Sequence, residues 1–226
     1  MVYGPFRSIA NYYLLDKYMR KILFMALCCM AAMGLTSCLY EEDEDNHEIT
    51  PQEIGQYLNA MKGNYSGKLL FQANNPNDPQ DDLDTLDIAW NVTTDTMVIV
   101  NEFPQAVFID RINDPQLKEA MEEAAPAPLR AKLAFYKANP VSFLVYPASV
   151  IYDIEYEGAT HQASLVFWIN TSYSYGLYDI TNKTFQMQMM GAGLYLDENT
   201  NRSYLVNNEY DNYSFPIVFT NVNLSH

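Results

Sequence analysis

From Val141 onward the chain is divided into short apolar or alternating runs: Val141 to Tyr146, Ser149 to Glu157, Gln162 to Asn170, Thr184 to Met190, Leu194 to Leu196, Arg202 to Val206 and Phe215 to Asn223. Turn-forming residues at Asn170 to Gly176 and Asp197 to Asn201 separate several of them. Runs this short are strands, and strands joined by short turns pair antiparallel. The sequence holds only three cysteines, Cys28, Cys29 and Cys38, all near the N terminus. A body without disulfides must be held by its core, and an aromatic content of 14% supplies large side chains for one.

The body begins with a strong local signal. Thr50 is placed as an N-cap, Pro51 as the first helical residue and Glu53 as the return half of a capping box, with Ile49 spaced to pack on Ile54. Ile54, Tyr57, Leu58 and Met61 follow at helical spacing, and Gly63 stands at the end. The spacing predicts a helix over Thr50 to Lys62 that lies on one end or face of a sheet. Tyr65, Leu69 and Phe71 then alternate as a half-buried strand. Asp87 to Val92 and Thr96 to Asn101 form a strand pair across Thr93-Thr94-Asp95. Phe103 to Ile112 stays open between an edge strand and a short helix, because Pro104 suits either. Asp114-Pro115 starts a helix carrying Leu117, Ala120, Met121 and Ala124, and Pro126 and Pro128 end it. Leu129 to Ala138 is expected as a second helical piece stopped by Asn139-Pro140. The fold class is therefore mainly β with minor α: an antiparallel barrel or sandwich with an N-terminal helix and a short helical insertion.

The segment before this body decides its compartment. In residues 19–37, Arg20 and Lys21 precede an apolar stretch from Ile22 to Gly34, which is short for a membrane span and ends in small residues. That is the layout of a signal peptide. Residues 1–18 are no part of such a signal, so Met19 is the expected initiator, the alternative being a cytoplasmic extension. Residues 38–48 form an acidic tether with little to bury, and residues 49–226 a single β-rich domain.

Leu35-Thr36-Ser37-Cys38 resembles the bacterial lipobox, which implies lipidation of Cys38 and cleavage before it. Glu41, Glu42 and Asp43 are similar to the export signal of Bacteroidetes lipoproteins, which implies the outer membrane and its cell-surface face, the periplasmic face being the alternative. Gly63-x-Tyr65-x-Gly67-x-Leu69 after the opening helix resembles the first strand of lipocalin-like, or calycin-like, domains of uncharacterised Bacteroidales surface lipoproteins. Asp84-Thr85-Leu86 and Asp95-Thr96-Met97 look like the O-glycosylation tripeptide of that group, with Thr85 and Thr96 as acceptors. The membrane is then a partner through the lipid anchor.

The formal net charge is −15, and it becomes more negative once the mostly basic leader is removed, so nucleic acid is excluded as a partner. No cofactor is expected. His47, His161 and His226 show no metal-ligand spacing, and no nucleophile elbow or phosphate loop is present, so neither a metal site nor a catalytic residue is assigned. Asn74 to Asp84 is rich in oxygen ligands but lacks the central glycine and distal glutamate of a calcium loop, and reads as solvated. Tyr173, Tyr175 and Tyr178 are the candidate ligand face, within a tyrosine-rich C-terminal third. The expected function is a non-enzymatic binding or accessory module for a small apolar ligand, a glycan or a protein partner. The alternatives are a surface hydrolase using paired carboxylates and a purely structural envelope protein.

Overall fold

The computed structural model describes residues 49–72, 83–138, 140–169, 173–206 and 214–221. All of them lie in one compact unit, His47–His226. Helix α1 (Pro51–Met61) starts as its sequence dictates: the Thr50 side chain accepts from the Glu53 N–H, and the Glu53 carboxylate accepts from the Thr50 N–H at 2.8 Å. Strands β1 (Gly63–Gln72), β2 (Leu83–Val92) and β3 (Met97–Phe103) follow. Two 3-10 turns, Gln105–Val107 and Ile109–Arg111, then lead to helix α2 (Pro115–Glu123). The remainder is β4 (Ala127–Lys137), β5 (Val141–Pro147), β6 (Val150–Tyr156), β7 (Ala159–Trp168), β8 (Tyr175–Asp179), β9 (Thr184–Leu196) and β10 (Phe215–Thr220).

The architecture is an antiparallel barrel, which decides between barrel and sandwich. Eight strands run β10-β1-β2-β3-β4-β5-β8-β9, and β9 pairs back onto β10 through Phe215↔Gly191 to Thr220↔Gln186 to close the circuit. The hairpin β6–β7 extends from the C-terminal half of β9, where Leu165 faces Leu194. Alternate residues of each strand point inward, and most of those positions are buried, among them Leu69, Trp90, Val98, Leu129, Phe143, Phe185, Met187 and Phe219. At the α1 end, Tyr65, Trp90, Phe143, Phe185 and Phe219 form a connected set of ring contacts with centroids 5.2 to 5.9 Å apart. Tyr57 of α1 reaches Phe135 next to it.

Four expectations are corrected. Leu129 to Ala138 is not helical: β4 runs Ala127–Lys137, paired to β3 on one side and β5 on the other. Its Ala, Leu, Lys and Arg content favours helix, but Ala127, Leu129, Ala131 and Leu133 also alternate, and a strand with two neighbours satisfies every backbone group. Strand β8 includes Gly176, expected as a turn residue; a Cβ there would collide with the Phe143 ring, so this glycine serves close packing. Thr184 to Leu196 is one strand, and Gly191 within it makes room for the ring of Phe215. Arg202 to Val206 contributes a single bridge, Leu205 to Ile112, rather than a strand. The Phe103 to Ile112 stretch is resolved as the end of β3 followed by the two 3-10 turns.

Candidate functional site

The barrel wall departs from regular pairing beside β2. On one side β2 is registered with β1 along its whole length, from Gly63↔Val92 to Gln72↔Leu83. On the other side its pairs with β3 are Asn91↔Ile99 and Val92↔Val98, and the two strands then separate. Beyond that point lies an open cleft of about 410 Å³ lined by Asp87, Ile88, Ala89, Trp90 and Asn91 of β2, by Ile99, Asn101 and Glu102 of β3, and by Asn64 and Tyr65. A volume of this size is within the range of ligand sites, roughly 300–1,000 Å³.

A β-bulge helps to separate the strands. Val100 pairs with Leu129, but Phe103 pairs with Ala127, so one extra residue is accommodated on β3 between them. The bulge turns Asn101 and Glu102, two consecutive residues, outward and exposed, while Phe103 returns to the core fully buried. Phe103 is fixed there: its carbonyl accepts from the Tyr152 hydroxyl at 3.3 Å, and its ring meets Phe167 edge-on at 6.4 Å. Burial raises the proton affinity of the Tyr152 phenol, so it remains a donor to that carbonyl. The far half of β2 stays with β1, so the strands diverge as each follows its own partner.

The alternation of a ladder shows which backbone groups face the cleft. The Thr93 N–H donates to the Met97 carbonyl at 2.8 Å, so odd-numbered residues of β2 direct their N–H and C=O towards β3 and even-numbered ones towards β1. Asp87 and Ala89 therefore present backbone donors and acceptors to the open side, with no backbone partner there among the described residues. Thr85 faces the same way, but its N–H donates to the Asp84 carboxylate at 2.7 Å, which leaves its carbonyl. Trp90 is 3% exposed and its indole N–H is buried with no hydrogen-bond partner among the described residues. An orphan donor of this kind costs about 1–3 kcal/mol. The Trp90 ring stacks on Tyr65 at 5.5 Å, 5° from parallel, and the two rings pack as one wall of the cleft. Two carboxylates, Asp87 and Glu102, line the opening; Lys68 stands 2.7 Å from Asp87, and Glu102 has no ion pair among the described residues.

The tyrosines expected as one ligand face are separated by the barrel wall. Tyr173 is 40% exposed and Tyr175 half-buried on the outer surface, Tyr175 beside Gln188. Tyr178 points inward and is buried, so it offers no face to a ligand. Its hydroxyl donates to the Ala60 carbonyl at 2.9 Å, and the Tyr65 hydroxyl donates to the Met61 carbonyl. These are carbonyls that the last turn of α1 leaves without helical partners, so the two phenols terminate the helix and fasten it to the barrel. Burial, with Tyr178 nearby, raises the Tyr65 phenol well above its ordinary value.

Thr85 is exposed on β2 and Thr96 occupies the β2–β3 turn with φ +57°. Cys38, Glu41, Glu42, Asp43 and most of the Asn74 to Asp84 segment lie outside the described residues. His161 pairs with Asp197 at 2.6 Å and packs edge-on against Tyr156, whose hydroxyl donates to Asp114. Among the described residues no group of three or more His, Cys, Asp or Glu is placed to hold a metal ion, and no helix is long and apolar enough to cross a membrane.

The cleft residues were not singled out from the sequence, although one signal was present. Val98, Val100 and Phe103 are all inward, and the step from 100 to 103 breaks the period of two at Asn101-Glu102. No curated protein and no solved structure matches the chain. A family model does match, over residues 60–196, which takes in β1 to β9 and the whole cleft. The chain thus belongs to the family described as Domain of unknown function (DUF4840).

Proposed function

We propose that this domain is a non-enzymatic binding module, tethered to a membrane through a lipidated Cys38, that takes a segment of a protein partner into the cleft between β2 and β3. One observation carries the reading: β2 is fully paired on its β1 edge and open on the other from Leu83 to Trp90. Open edges invite added strands, and soluble proteins generally blunt or cover them. The small apolar ligand loses support, because the inward positions of the described strands are occupied by buried side chains in mutual contact. The acidic stretch Glu41 to Asp43 fits display at the cell surface.

Selection of a displayed peptide library on the full chain tests the site. Recovered peptides should compete with one another and lose binding to Ala89→Arg, which places a long charged side chain at an exposed cleft position. Peptides that bind Ala89→Arg as well as they bind the natural protein would move the site elsewhere. For the anchor, a palmitate analogue should label the natural chain in cells and leave Cys38→Ala unlabelled; equal labelling of both removes the tether.

A second reading has its own observation. Asp87 and Glu102 line the same cleft, the pair of carboxylates that a hydrolase of glycosidic bonds requires. Turnover of any nitrophenyl glycoside that disappears in Glu102→Gln would favour it over simple binding.

A further inference from the structure

We infer that the segment taken up beside β2 is an extended, cationic one: a strand whose outward side chains are Lys or Arg and whose inward side chains are β-branched. This rests on the cleft being the binding site and adds what the site selects. The groups on offer are the N–H and C=O of Asp87 and Ala89 and the C=O of Thr85, whose own N–H donates to the Asp84 carboxylate, recurring every second residue along the edge. That repeat, about 6.6–6.8 Å, is the repeat of another strand. A sugar chain has no such regular alternation of donor and acceptor along one line. On the outward face the partner's side chains would lie beside Asp87 of β2, with Glu102 of β3 across the opening, both exposed. Opposite-charge neighbours across a strand pair stabilise it and like charges oppose it. On the inward face the partner's next side chains meet half-buried Ile88 and the edge of Trp90, where a β-branched group adds contact without displacing the Tyr65–Trp90 stack.

The charges also reject the commonest wrong partner of an open edge, a second copy. Antiparallel self-pairing along β2 would bring Asp87 towards its own equivalent, on two chains each with a formal charge of −15. Acidic residues on the edge therefore discourage self-association while admitting a cationic strand.

The test uses the full chain and a labelled synthetic peptide of alternating lysine and threonine, as long as the free stretch Leu83 to Trp90, with binding read by fluorescence polarisation. Three companions define the outcome: the same peptide N-methylated at alternate amides, a glutamate–threonine peptide, and a panel of neutral oligosaccharides. The lysine peptide should bind. Its affinity should fall on the order of tenfold or more against Asp87→Asn/Glu102→Gln and for the glutamate peptide. N-methylation should abolish it, as should Ala89→Pro, which removes a donor from the open edge and none from the β1 ladder. Ala89→Arg repeats that test should the proline variant fail to fold. If the N-methylated peptide binds as well as the parent, strand addition is wrong. If both charged peptides bind equally and both are lost in Ala89→Pro, the cation preference is wrong and the cleft stands. If neither peptide binds, or only an oligosaccharide does, the inference falls; an oligosaccharide lost in Ala89→Arg would keep the cleft as a site for another class of ligand.

Discussion

The two edges of β2 differ within one strand. Towards β1, pairing runs from Gly63↔Val92 to Gln72↔Leu83 without a break; towards β3 it is confined to the turn-proximal end, at Asn91 and Val92. The residues on both edges share the same backbone and composition, so intrinsic strand preference does not explain the difference. What differs is the neighbour. Strand β1 has no competing demand until it meets β10, whereas β3 is drawn to β4 by its bulge and held there by the buried Phe103. Arg111, in the connection after β3, donates to the carbonyl and side chain of Gln72 at the end of β1, so this connection is fastened across the barrel. The open cleft is a consequence of satisfied packing elsewhere, which makes it a fixed feature of the wall.

The largest expected effect contrasts inward residues from the two edges. Leu69, on β1 opposite Leu86, is fully buried, and Leu69→Ala should destabilise by about 2–5 kcal/mol, since the space it leaves is enclosed. Ile88 faces inward too but borders the cleft and is half-buried, so Ile88→Ala should cost about 1 kcal/mol, with water reaching the vacated space. Equal losses in chemical denaturation would mean that the cleft closes in solution. A proline pair comes next. The N–H of Ile88 faces β1, so Ile88→Pro should lose roughly 1–3 kcal/mol for the unpaired carbonyl it leaves, beyond the loss of side-chain packing. Ala89→Pro removes an N–H that faces the open side and should leave the melting temperature nearly unchanged. If Ala89→Pro is the more damaging, the assignment of edges is reversed. Hydrogen exchange provides the same comparison without mutation: the amides of Leu86, Ile88 and Trp90 should be protected, and those of Asp87 and Ala89 should exchange far sooner.

How much of this was legible depends on how local each signal is. The α1 capping box, the Asp114 cap of α2 and the β2–β3 hairpin are built from neighbours in sequence, and they appear where the residues place them. Strand β4 was misread because Ala, Leu, Lys and Arg favour helix locally, while the partners that make it a strand, β3 and β5, enter only through tertiary structure. Gly176 reads as a turn residue in the sequence, yet it stands under Phe143, as Gly191 stands under Phe215, and a glycine kept for packing cannot be told from a turn glycine in one sequence. Tyr178 joins the candidate ligand face by residue type alone, because tyrosines can present flat faces to a sugar or peptide; its partner, the Ala60 carbonyl, is distant in the chain and has no signature in residue type. Of the cleft, the phase shift from Val100 to Phe103 was readable, since it requires only that both be inward. That β2 does not follow β3 through this shift depends on β1, and no pattern within β2 encodes it.

The smallest effect concerns the segment that follows the open edge. Asp114 begins α2: one carboxylate oxygen accepts from the N–H groups of Gln116 and Leu117 at 3.0 Å, and the other accepts from the Tyr156 hydroxyl at 3.1 Å. The backbone bond from Leu117 is the main cause that lowers the proton affinity of this carboxylate, assisted by Tyr156 and by Gln116. Desolvation and the bond to Asp114 together push the Tyr156 phenol up to about 12, so it stays a donor at all ordinary pH. A carboxylate whose affinity for protons is lower in the folded state contributes stability above its unfolded value, 3.8, and that contribution fades as pH falls through the folded value. Asp114→Ala should therefore cost about 1 kcal/mol at neutral pH, the ordinary worth of an N-cap, and progressively less in acid. Asp114→Asn, which still caps, should lose less and should flatten the acid limb of the stability curve. If α2 also holds β3 away from β2, Asp114→Ala should in addition slow exchange at Ala89 by letting the strands approach; unchanged exchange there would assign the separation to the bulge and Phe103 alone.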